Sequence, residues 1–122
     1  MTNKYKNFFN KISYYSSELN VDFFPQDWGL INGDAYRVQE FIDYYNKSNI
    51  EEGMKHDFFD LILSSFNEFL SQQINDQEVE KQFVKFVEDN KNEEAFLFSF
   101  NYWKRLTDKE EFPISSFLKQ IS

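Results

Sequence analysis

Between residues 51 and 72 the apolar side chains Met54, Phe58, Phe59, Leu61, Ile62, Leu63, Phe66, Phe69 and Leu70 recur at helical spacing. At about 100° per residue they fill an arc of roughly 200°, twice the stripe that a helix lying on a protein surface needs. The segment therefore predicts a central helix covered on two sides, and the rest of the chain must supply the cover. Three flanking segments carry narrower stripes. Tyr5, Phe8, Phe9, Ile12, Tyr15 and Leu19 form the first; Ala35, Val38, Phe41, Ile42 and Tyr45 form the second, behind Asp34 as a good N-cap. Val79, Phe83, Val84, Phe86 and Val87 form the third, behind Asn75 and Glu78 spaced as in a capping box. Residues 20–33 hold Pro25, Gly29 and Gly33 among Phe23, Phe24, Trp28, Leu30 and Ile31, which predicts a loop packed onto the body with Trp28 as a plug. Residues 95–103 have strand propensity as well as helical potential. The ends decide for a helix from about 93 to 106, with Asn92 to cap it, Glu93 and Glu94 at its positive end and Lys104 and Arg105 at its negative end. Pro113 opens a short last helix carrying Ile114, Phe117, Leu118 and Ile121. No internal repeat is visible, and 122 residues suit one core. The expectation is all-α: a single domain, residues 1–122, folded as one compact bundle of five to six helices.

Charge narrows the partners. With 13 Lys or Arg against 21 Asp or Glu the formal charge is −8, and a phosphate backbone or an anionic membrane repels such a surface. Neither nucleic acid nor membrane is an expected partner. The chain has no cysteine, so disulfides, thiolate-zinc and iron–sulfur sites and a cysteine nucleophile fall together. No apolar run approaches ~18 residues, and the opening Met1-Thr2-Asn3-Lys4 has no signal-peptide stretch behind it, which predicts a cytoplasmic protein. Phe (16) outnumbers Leu (8), while Ala (2) and Arg (2) are scarce. That is the bias of AT-rich codons, so aromatic content alone does not mark a binding surface, and position must decide.

The sequence lacks GxGxxG, P-loop, GxSxG and CxxC patterns. His56 is its one histidine, and Glu52, His56 and Asp60 lie four apart on one helical face. Di-metal bundles need two Glu-x-x-His pairs, and here a single His follows its Glu at four. His56-Asp57 is similar to a phosphohydrolase dyad, whose sites recruit further histidines that this chain lacks. Glu93 with Glu94, and Glu110 with Glu111, are adjacent and point to different sides of a helix, unlike a glycosidase pair. These residues predict salt-linked surface groups, with no catalytic residue, no cofactor and no metal; the chain is expected not to be an enzyme.

The acids are unevenly placed. Residues 1–17 carry net +3, 18–60 carry −7, 61–95 carry −5 and 96–122 carry +1. An acidic face helps any small domain stay in solution, and it also meets a basic partner quickly. On the second predicted helix Tyr36, Glu40, Asp43 and Tyr44 fall on the outer side, two aromatics among two acids. Tyrosine brings large contact area at small entropy cost; the alternative is that Tyr36 or Tyr44 packs against the 20–33 loop. With Glu51, Glu52, Asp57 and Asp60 of the next helix, these are the candidate partner-binding residues. On the fifth predicted helix Phe96, Phe100 and Trp103 share one side and Phe98, Tyr102 and Leu106 another, so one side is a candidate exposed patch.

A small, acidic, cysteine-free helical chain with tyrosines among carboxylates resembles the immunity proteins that bacteria make against their own toxins. The stretch Asp43-Tyr44-Tyr45 is similar to the acid and tyrosine pair of colicin-type DNase immunity proteins, without the proline that follows in that family. The resemblance implies a one-to-one inhibitor of a basic toxin domain, a nuclease, with acids standing in for nucleic-acid phosphates. The other reading is a helical adaptor or regulatory domain, of phage origin for example, that binds a host protein without catalysis.

Overall fold

A computed structural model describes residues 3–121, with side chains from residue 8 onward. The Met1-Thr2 opening and the Tyr5 side chain lie outside the residues so described. The described residues form seven α-helices: α1 (Asn3–Leu19), α2 (Trp28–Ile31), α3 (Val38–Lys47), α4 (Lys55–Ser71), α5 (Gln77–Asn90), α6 (Glu94–Lys104) and α7 (Pro113–Ile121), with a 3-10 turn, Glu52–Met54, leading into α4. No strand occurs among the described residues. The count is seven rather than five to six because the 20–33 segment contains α2, whose four residues are too short to show a helical period.

Helix α4 is the axis of the bundle. Phe58, Phe59, Leu61, Ile62, Leu63, Phe66 and Phe69 are all buried along it, and α2, α3, α6 and α7 pack around it. Phe66 stacks on Phe83 at 3.8 Å between centroids and meets Phe69 at 5.3 Å and Phe117 at 4.9 Å. Phe59 is bracketed by Phe96 at 5.2 Å and Phe86 at 6.0 Å. Flat rings stand here where most helical proteins use leucine, and their offset and edge contacts add to the area they bury.

The helix ends follow side-chain chemistry, with three shifts from expectation. Asn20 and Gln73 take left-handed φ values of 53° and 56°, and Val21 and Ile74 donate back to Ser16 and Phe69 at 3.0 and 3.2 Å. Both α1 and α4 thus close in Schellman turns. Asp76, not Asn75, caps α5, accepting from the Glu78 and Val79 amides at 3.1 Å each. Asp34 spends its carboxylate on the Tyr36 amide at 2.9 Å, so the next residues form a turn and α3 begins only at Val38. Helix α6 starts at Glu94 behind Glu93, without a side-chain cap from Asn92.

Helix α2 is short, so tertiary bonds hold it. Trp28 is fully buried, donates its indole N–H to Ser16 Oγ of α1 at 2.8 Å and meets the Phe58 ring edge at 5.2 Å. The Asn32 side chain accepts from the Asp22 amide at 3.0 Å and donates to the Asp22 and Trp28 carbonyls at 2.9 and 3.0 Å, clasping the loop shut. Gly29 lets the two backbones touch, since a Cβ there would lie 2.4 Å from the Asp57 carbonyl oxygen and 2.6 Å from the Leu61 nitrogen. Ser64 Oγ then donates to the Gly29 carbonyl at 2.9 Å.

Candidate functional site

The structure does not gather the eight candidate residues on one surface. Tyr36 is 79% exposed, in the turn ahead of α3 rather than on the helix. Glu40 is held by Arg37 at 2.6 Å, and that hydrogen bond keeps its carboxyl below the usual range, so half of the expected acid pair carries its own cation. Asp43 accepts from Gln39 at 2.9 Å. Tyr44 is half-buried against the core, stacked on Phe58 at 5.8 Å and edge-on to Tyr15 at 6.4 Å, and burial raises its hydroxyl pKa. Its ring partners thus lie on α4 and α1. Glu51 and Glu52 are exposed and paired with Lys11 at 2.5 Å and Lys55 at 3.0 Å. Asp57 and Asp60 are half-buried on the side of α4 that α2 covers.

Asp60 is the point where a different site begins. On α4 it lies one turn after His56, and α6 brings Ser99 and Trp103 against both. Ser99 Oγ and His56 Nδ1 are 2.8 Å apart, His56 Nε2 is 3.2 Å from Asp60 Oδ2, and the Trp103 indole donates to Asp60 Oδ1 at 3.4 Å. With the proton on Nε2 the imidazole donates to Asp60 and accepts from Ser99. The hydroxyl, imidazole and carboxylate stand in a row, as in a hydrolase triad, although the two ring nitrogens have exchanged partners. Ser99 is fully buried in the middle of α6, whereas a nucleophile must meet its substrate. The row fixes the ring and leaves the Asp60 carboxylate beside it. Burial raises the Asp60 pKa despite the neighbouring imidazole, and burial likewise pushes Asp57 up to about 6. Among the described residues no three His, Asp or Glu side chains converge as a metal site.

Three hollows meet at α2. One of about 260 Å³ is lined by Asp27, Leu30, His56, Asp60, Phe98, Ser99 and Tyr102. A second, of about 360 Å³, shares Leu30 and Tyr102 and adds Glu68 and Glu111. The third is an apolar groove of about 840 Å³ between Phe8, Phe9, Phe24, Pro25 and Ile31, with Asp27 at its edge. Among the described residues no Lys or Arg lines any of the three, whereas Lys104, Arg105 and Lys119 line a separate hollow of about 460 Å³. Phe98 is 70% exposed, and Ile31, Phe23 and Tyr102 about half so. The outward side of the fifth predicted helix is thus the Phe98 and Tyr102 side, while Phe96, Phe100 and Trp103 are buried. Asp27 and Leu30 had no periodic signal in the sequence; the fold alone sets them beside His56.

Comparison with protein-family models, with curated proteins and with solved structures found no match for the chain.

Proposed function

We propose that the chain is a non-catalytic inhibitor of the immunity type, which binds a basic toxin domain, a nuclease, through the face around α2. What supports this most is the combination on that face: exposed rings and aliphatic side chains set among Asp27, Asp60, Glu68 and Glu111, with no Lys or Arg among the described residues that line its hollows. An apolar surface ringed by acids favours a partner with apolar anchors and basic surroundings, and it disfavours anionic ligands. The acids would stand where nucleic-acid phosphates stand on the toxin. The buried Ser99 supports a binding rather than a chemical role. On and beside α3, Asp43 is bonded to Gln39, and Glu40, Glu51 and Glu52 already hold cations of their own.

The test is co-expression with the product of the adjoining upstream gene. The expected outcome is growth arrest by that product alone, relief when this chain is present, and a one-to-one complex on gel filtration. An upstream product that is harmless, or whose toxicity persists beside this chain, would refute the reading. A complex with a harmless basic protein would move the chain to the adaptor class.

A further inference from the structure

We infer that the hollow between α2, α4 and α6 is a side-chain pocket for arginine, in which a guanidinium lies against the Phe98 and Tyr102 rings and neutralises Asp27 and Asp60. The inference rests on the proposed basic partner and names the group that this partner would insert. Shape, rings and charge each bear on it separately. The hollow of about 260 Å³ is of side-chain size and is bounded by three elements that other bonds already fix. Phe98 stands 70% exposed, yet it is oriented by an edge contact with His56 at 5.2 Å, and His56 is oriented in turn by Ser99 at 2.8 Å. A large ring held in place at the mouth of a hollow offers a π face at little further entropy cost.

The carboxylates complete the case. The Asp60 side chain is 15% exposed; its N–H contacts from His56 and Trp103, at 3.2 and 3.4 Å, are both long for a charged acceptor, and the Ser99 hydroxyl beside it is neutral. Among the described residues Asp27 has no side-chain hydrogen-bond or ion-pair partner. It also holds a left-handed backbone, φ 57°, at the start of α2. Among the described residues no Lys or Arg lines this hollow, so a largely buried carboxylate lacks a strong cation there, the condition under which an incoming one is worth most. Guanidinium fits better than ammonium, because it is planar, weakly hydrated, and stacks on rings while donating sideways to carboxylates. A metal ion fits worse, since both Asp60 oxygens already face N–H donors.

The probe is Nα-acetyl-L-arginine amide, titrated into the intact protein and followed by NMR at the Trp103 indole N–H and the Phe98 and Tyr102 ring protons. Saturable shifts are expected, with a Kd on the order of millimolar for so small a ligand. The neutral isostere acetylcitrulline amide should give none, and acetyl-lysine amide should bind more weakly. Phe98→Ala should weaken arginine by about two- to fivefold. Asp27→Asn should weaken it too, and neither exposed residue is needed for folding. Absence of saturation, equal binding of citrulline, or arginine binding unchanged in both variants overturns the pocket. No partner takes part in this titration, so its failure leaves the co-expression result standing, and failure of co-expression leaves the pocket to be judged here.

Discussion

Gly29→Ala is the sharpest perturbation of this fold. The added methyl carbon would sit 2.4 Å from the Asp57 carbonyl oxygen, 2.6 Å from the Leu61 nitrogen and 3.0 Å from Asp60 Cβ, about 0.5 to 1 Å inside the ~3.5 Å at which heavy atoms rest. Two of these neighbours are helix backbone and cannot rotate away, so α2 must lift off α4. Lifting α2 strains the Trp28 bond to Ser16 and the Ser64 bond to the Gly29 carbonyl, each worth about 1 kcal/mol. With the ~1–3 kcal/mol typical of overpacking, the expected loss is about 2–4 kcal/mol. For a domain of this size that lowers Tm by about 10 °C. Gly53→Ala is the control, because nothing lies within 4 Å of a Cβ there; it should stay within about 0.5 kcal/mol of the parent. Neither glycine has positive φ, so backbone preference does not separate them and only space does. Thermal melts followed by circular dichroism decide it. Equal melting of the two variants would refute the close approach of α2 to α4.

Phe66→Ala, which removes the ring stacked on Phe83, should cost about 3–5 kcal/mol in urea unfolding, against less than about 1 kcal/mol for an exposed change such as Phe98→Ala. Asp76→Ala should cost about 1 kcal/mol by freeing two amides at the start of α5, whereas Asn75→Ala should cost almost nothing. Asp57 has its pKa pushed from 3.8 up to about 6 by burial, so the folded chain holds this proton more tightly than the unfolded one. Its contribution is therefore greatest below about pH 4 and falls as pH rises to about 6. Asp57→Asn should remove that dependence and stabilise the protein at pH 7 by about 1–2 kcal/mol, allowing for partial contact with water; a variant whose advantage does not grow between pH 4 and 6 would contradict it.

What was legible in the sequence was whatever repeats. The stripe on α4 and those of α1, α3, α5 and α7 are long enough for a 3.6-residue period to show, and the competition between strand and helix over residues 95–103 was settled by charges at the two ends. Helix α2 was hidden because four residues contain hardly more than one turn, and what holds it lies elsewhere, in Ser16, Ser64 and the Asn32 clasp. Caps slipped where two capable residues stand together, as at Asn75 and Asp76. Tyr44 was read on the outer side of α3 for a similar reason: it lies at the edge of the apolar arc, where a few tens of degrees separate a surface ring from one stacked on Phe58. Ser99 and His56 are 43 positions apart, and no local pattern announces a pair that two helices bring together.

The central claim is that the face around α2, rather than that of α3, meets a basic partner. The direct measurement is the association rate with the upstream gene product across a range of salt, by stopped flow, for the parent, for Asp27→Lys with Glu68→Lys, and for Tyr36→Ala with Asp43→Lys. All four groups, two on each face, are then either intact or altered in folded proteins of matched melting temperature. The account predicts a rate that falls steeply with salt in the parent, is much slower in the α2-face variant and is little changed in the α3 variant. A salt-independent rate, or slowing confined to the α3 variant, would contradict it.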